Sequence, residues 1–204
     1  MAKSRRDTAD SYTLRARKEG YPARSVYKLE EIQKQFAIIK KGDTVLDVGA
    51  APGSWTLYTG NVLLKGTGKI VAVDLNPLNI NPIPHTVISY VGDAFGKEIK
   101  PKLIEHGPYD AIISDAAPLT TGNRGVDTAR SEYLAEQVIL LAAEHLKAGG
   151  NLVVKLFQGG GEQELMKRLR TLFTRAKIVK PKACRDDSFE IYLVGVGRKE
   201  GEPG

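Results

Sequence analysis

The chain has 204 residues, 42% of them hydrophobic and 26% charged, which suits one domain with a full core. No apolar run approaches the ~20 residues of a membrane helix, and the polar start does not read as a signal peptide. Cys184 stands alone and His85, His106 and His145 are scattered, so neither a disulfide framework nor a metal site is expected. A soluble, cytoplasmic, monomeric protein with no membrane partner is the expectation.

The net charge of +6 is unevenly placed. Residues 1–41 carry eleven Lys and Arg against five Asp and Glu, and residues 167–185 hold eight basic residues and no acid. Two basic stretches flank a balanced middle, as in a protein that binds a polyanion. A solvated helix face would account for either stretch alone; together they favour nucleic acid.

In chain order, residues 1–20 are polar and basic (Lys3, Arg5, Arg6, Arg15, Arg17, Lys18) and read as a partly ordered arm. Ser25 is then predicted to cap a helix reaching Phe36, with Val26, Leu29, Ile32 and Phe36 at helical spacing and Lys28 off that stripe. Strands are predicted at 44–48, 69–74, 86–91, 109–114, 151–157, 176–180 and 189–196. Helices are predicted at 54–64, 99–105, 128–146 and 162–173. Strands alternating with helices argue for α/β layers around a mostly parallel sheet. Neither an internal repeat nor a second domain is visible.

The most informative stretch is Asp47-Val48-Gly49-Ala50-Ala51-Pro52-Gly53-Ser54-Trp55, between the first strand and a helix. Gly49 and Gly53 permit close approach of a ligand to the backbone, and Ser54 is a candidate N-cap whose helix would turn free N–H groups toward it. The loop lacks the middle glycine of a dinucleotide fingerprint and the Gly-Lys-Ser/Thr of a P-loop. Asp74 ends the next strand, where an acid can accept both hydroxyls of a ribose. This string resembles the cofactor loop of methyltransferases that use S-adenosylmethionine.

Four charged residues should converge at the same sheet edge: Lys28, Asp115, Lys155 and Glu190. Asp115 ends the fourth strand, and Lys155 sits within Leu152-Val153-Val154-Lys155-Leu156-Phe157. A lysine buried there is costly unless it is paired or neutral, and Glu190 in the last strand could be a partner. A salt-bridge network that merely holds strands in register is the alternative.

The ordered blocks Arg24 to Leu29, Asp47 to Trp55, Ser114-Asp115-Ala116-Ala117-Pro118, Val153 to Gly159 and Ser188 to Val194 resemble the RrmJ/FtsJ family of RNA ribose 2′-O-methyltransferases. The resemblance covers nearly the whole chain and puts the family's Lys-Asp-Lys-Glu tetrad on Lys28, Asp115, Lys155 and Glu190. It implies a Rossmann-like methyltransferase fold, with a seven-stranded mostly parallel sheet and helices on both faces. The expected layout is an arm over 1–20, the methyltransferase domain over 21–198 and a flexible tail over 199–204.

S-adenosylmethionine is the implied cofactor. Asp74 would hold its ribose and Asp93 its adenine edge, with Asp47, Gly49, Gly53 and Trp55 lining the loop and Asp115 beside it. The implied partner is RNA, with a uridine of large-subunit (23S) ribosomal RNA, bare or in the particle, as target. Lys155 is the expected general base, its pKa expected to fall through burial and the nearby Lys28 cation. Arg24 and Arg185 are candidate phosphate contacts, and Tyr192, on the face of Glu190, either touches the target nucleotide or packs.

Two departures stand out. Ala-Ala-Pro-Leu follows Ser114-Asp115 in place of the block Met-Ala-Pro-Asn usual in bacterial members, and Ser54 replaces a usual Gly. A tRNA ribose methyltransferase and a non-catalytic RNA-binding assembly factor are the other readings; a nicotinamide oxidoreductase lacks its glycine pattern.

Overall fold

The computed structural model describes residues 10–185 and 188–200. Apolar runs form strands β1 (Thr44–Val48), β2 (Lys69–Asp74), β3 (Val87–Val91), β4 (Tyr109–Ser114), β5 (Leu146–Phe157), β6 (Phe173–Val179) and β7 (Glu190–Arg198). They make one sheet in the order β3-β2-β1-β4-β5-β7-β6. Only β7 runs against the rest, pairing antiparallel with both β5 and β6. The chain therefore has the expected seven-stranded, mostly parallel sheet, with helices on both faces.

Side-chain alternation divides the core in two. Leu46, Ile112, Val154 and Ile191 point to one face, under helices α4 (Lys100–His106), α5 (Arg124–His145) and α6 (Glu162–Leu172). Val45, Ile113, Val153 and Val194 point to the other, under α1 (Ser11–Lys18), α2 (Val26–Phe36) and α3 (Ser54–Tyr58). Leu29 and Ile32 of the predicted stripe are fully buried on this second face. Truncating either to Ala would remove about 2–5 kcal/mol.

Several elements differ from expectation for local reasons. Residues 11–18 of the expected arm form α1, whose N-cap Asp10 accepts from Thr13 N at 3.0 Å. Its one buried residue is Ala16, so it carries little apolar periodicity. It docks instead through Tyr12 against Tyr27, with Arg15 over the Tyr27 ring. Residues 1–9 of that arm and 201–204 of the expected tail lie outside the described residues.

Ser25 holds the N-cap position of α2 without a side-chain capping bond, and Ser54 does not cap α3. Gly53, at φ +114°, precedes α3, and Ser54 is that helix's first residue. Its hydroxyl both accepts from Ala23 N (2.8 Å) and donates to Ala23 O (3.1 Å), stapling the turn before α2 to the cofactor loop. The helix beyond Tyr58 widens into a π-turn over Thr59–Leu63. α5 begins at Arg124, earlier than predicted, because Asn123 accepts from Gly125 N and Val126 N. It ends at His145, and β5 starts directly at Leu146, ahead of Gly149.

Candidate active site

β1, β4 and β5 present residues of one parity to the α2 face, and this places Asp47, Asp115 and Lys155 on the same side of the sheet. β7 runs in reverse, so its first residue, Glu190, reaches the edge where the parallel strands end. Phe157 pairs with Glu190 and Lys155 with Tyr192 across β5 and β7. Lys28 comes down from α2.

The four tetrad side chains meet as two ion pairs. Lys155 Nζ lies 3.1 Å from Asp115 Oδ1, and Lys28 Nζ lies 2.5 Å from Glu190 Oε1. Lys28 is 8% exposed and Lys155 9%, so neither ammonium is a surface ion. Asp115 Oδ1 also accepts from the Tyr192 hydroxyl at 2.6 Å. Burial pushes the Asp115 carboxyl up, but the Lys155 and Lys28 cations and the two hydrogen bonds outweigh it and hold the group below its ordinary value. Burial and the Asp115 charge push the Tyr192 phenol well above its ordinary value, so it stays a donor.

The cofactor loop is pressed against this cluster. Gly49 has φ +75°, and a Cβ there would lie 2.4 Å from the Ala116 Cβ and 2.6 Å from its Cα. Only glycine lets β1 turn so close to the residue after Asp115. Asp74 Oδ2 accepts from Ala51 N at 3.1 Å and Oδ1 from Asn76 N at 2.8 Å. Asp93 is exposed and accepts from Phe95 N at 3.0 Å.

S-adenosylmethionine, with its sulfonium, ammonium and ribose hydroxyls, fits this donor set. Asp47, Asp74 and Asp93 stand at or near the carboxyl ends of β1, β2 and β3, a row of acids at one sheet edge. Asp47 is 1% exposed; its Oδ2 accepts from Thr56 Oγ1 at 2.6 Å, while Oδ1 has no partner among the described residues. Burial pushes this carboxyl up to about 7. An acceptor oxygen left unmatched in the interior is costly until a donor arrives, and an ammonium is such a donor. Thr56, buried beneath the loop, was not legible as a site residue: a threonine early in a helix carries no distinctive signal.

Two sequence expectations change, for Trp55 and Arg24, and the open alternative for Tyr192 is decided. The Trp55 indole is 2% exposed, donates to Ser25 O at 2.8 Å and packs 5.8 Å from the Tyr192 ring, so its side chain supports the loop from within and does not line it for a ligand. Tyr192 is fully buried with its hydroxyl committed to Asp115, so it packs beneath the site and offers no face to a nucleotide. Arg24 bonds Asp10 and the Ala183 carbonyl and is no free phosphate contact. Arg185 is exposed, as are the other seven basic residues of 167–185.

A model of the FtsJ-like methyltransferase family matches residues 21–198. The chain belongs to this family. Among FtsJ-like relatives, one from Treponema denticola, named ribosomal RNA large subunit methyltransferase E, is 50% identical over 98% of this chain and 100% of its own length. One of the same name from Desulforapulum autotrophicum is 46% identical over 94% of this chain and 93% of its own. A crystal structure of human methyltransferase-like protein 13 with S-adenosylhomocysteine has TM-score 0.58 at 14% identity, covering 88% of this chain and 81% of that one, and shares the fold. As an FtsJ-like methyltransferase the protein uses S-adenosylmethionine as methyl donor. No described helix is long and apolar enough to cross a membrane.

Proposed function

We propose that this protein transfers a methyl group from S-adenosylmethionine to a ribose 2′-hydroxyl of large-subunit ribosomal RNA, a uridine being the expected target, with Lys155 as general base. The observation that carries the reading is the pair of ion pairs, Lys155–Asp115 and Lys28–Glu190, converging beside the Gly49 turn. The names of the Treponema and Desulforapulum relatives support the choice of RNA.

When bound, the cofactor supplies an electrophilic methyl on a sulfonium. The chain's own residues then have two tasks, positioning the 2′-hydroxyl and taking its proton. Lys155, in its amine form, accepts that proton as the new C–O bond forms. Asp115 orients the amine from 3.1 Å and is itself fixed by Tyr192. The Lys28–Glu190 pair closes the opposite side and holds a fixed cation near the developing negative charge on the ribose oxygen. General-base assistance of this kind contributes about 10²–10⁴-fold in rate, and positioning a further share. The exposed basic residues of 167–185 supply phosphate contacts, and their part in affinity weakens with salt.

The test is transfer of labelled methyl to large ribosomal subunits, bare large-subunit RNA and tRNA taken from cells lacking the gene, followed by mapping of the modified sugar. A 2′-O-methyl mark on large-subunit RNA is the expected result. Label found only on tRNA, or only on a base, would overturn the proposal.

A further inference from the structure

The rim of the site carries an aromatic cluster that the tetrad does not use. Phe157 lies two residues beyond Lys155, and Phe189 immediately precedes Glu190. Their rings meet edge-to-face, with centroids 4.8 Å apart at 60°. The Gln158 N–H donates to the Phe189 carbonyl at 2.8 Å and holds the two strand ends together. Both rings are only half-buried.

Over the Phe189 ring sits Arg124, its Cζ 5.2 Å from the centroid. Arg124 is exposed and has no carboxylate partner among the described residues. The loop that delivers it is fixed. Asp127 accepts from Thr121 N, Thr121 Oγ1 and Gly122 N, and Asn123 caps α5. On the same stretch, four residues beyond Asp115, Leu119 is 91% exposed.

A plain apolar plug for the strand ends would need no cation above it. A half-buried ring faced by a guanidinium with no carboxylate partner among the described residues, beside the reacting groups, offers the two surfaces with which proteins grip an unstacked nucleobase, an aromatic face and an arginine plane. We propose that Phe157, Phe189 and Arg124 form a stacking platform for one base of the RNA strand, at or next to the methylated nucleotide. This rests on the RNA reading above and adds a named contact to it.

The experiment measures methyl transfer to large ribosomal subunits from cells lacking the gene, with kcat and KM separated, for Phe189→Ala, Phe189→Leu, Phe189→Tyr and Arg124→Ala. Phe189→Ala and Phe189→Leu should each raise KM by at least about tenfold, with the loss falling on KM more than on kcat. Phe189→Tyr should restore most of the affinity, and cofactor affinity should not move in any variant. Arg124→Ala, on an exposed side chain, should raise KM severalfold and carries the test should Phe189→Ala not fold.

If Phe189→Leu behaves as wild type, the ring is a plug and the platform is refuted. An unchanged KM in Phe189→Ala refutes it too. No transfer by the wild-type protein to RNA in any form sinks the underlying reading, a result distinct from either.

Discussion

Replacing Lys155 by Met keeps most of the apolar stem of the side chain, with sulfur for the δ-methylene, and removes its amine. Two separable losses follow. The first is chemical: without the amine, proton removal falls to water, and kcat should drop by about 10²–10⁴-fold. The second is structural. Lys155 and Asp115 are 3.1 Å apart, with side chains 9% and 17% exposed, so their pair is poorly screened.

Removing one partner of a buried pair costs about 3–5 kcal/mol when the other charge is stranded. Here Asp115 keeps the 2.6 Å bond from Tyr192 and the Lys28 cation nearby. The loss should therefore be nearer the ~1.5–3 kcal/mol of one charge-assisted hydrogen bond. The Asp115 carboxyl, relieved of its closest cation, should also move up in pKa.

The assay pairs urea unfolding with single-turnover methyl transfer and cofactor titration. Lys155→Met should bind cofactor nearly as well as wild type. Adding Asp115→Asn should recover part of the stability, since no charge is then left unmatched, and none of the activity. If Lys155→Met kept a rate within about tenfold of wild type, the base assignment would be wrong.

Further outcomes can be checked on the same preparations. Gly49→Ala puts a Cβ 2.4 Å from the Ala116 Cβ at φ +75° and should cost about 2–4 kcal/mol in urea while abolishing cofactor binding, read by calorimetry. A variant that binds cofactor normally would show that the close approach is dispensable. Asp47 holds its proton more tightly folded than unfolded, its value moving from 3.8 to about 7. Its contribution to stability is therefore complete below about 4 and is lost as pH rises to about 7. Thermal scans of the cofactor-free protein should show wild type losing stability over that window relative to Asp47→Asn; parallel curves would refute the burial argument. Ser54→Ala removes both hydrogen bonds to Ala23 and should cost about 1–2 kcal/mol, with faster amide exchange in residues 21–25.

The strands were legible because Val45-Leu46, Ile70-Val71-Ala72-Val73 and Ile112-Ile113 are apolar runs too short for helices. The tetrad was legible because a lysine inside Leu152 to Phe157 has no place in a core unless it works or is paired. What stayed hidden depends on partners distant in sequence. Arg24 looks like a free cation until Asp10 and the carbonyl of Ala183, 159 residues away, are seen to hold it. Tyr192 shares a face with Glu190, as the spacing said, but α2 and Trp55 cover that face. Helix α1 was obscured because two tyrosines and an arginine dock it where apolar periodicity would normally serve. Ser54 has the right chemistry for a cap, yet the Ala23 N–H and carbonyl, 31 residues away, claim its hydroxyl.

The reversal of β7 has a consequence for how the enzyme comes into being. Its proposed chemistry draws on residues from 28 to 190, and the final acid arrives at the beginning of β7, the last strand among the described residues. A nascent chain stopped before that point has its cofactor loop and Lys155 but no counter-charge for Lys28 and no Tyr192 beneath Asp115. On the proposed chemistry, a chain stopped before Glu190 should not transfer methyl, although it already carries the basic residues of 167–185.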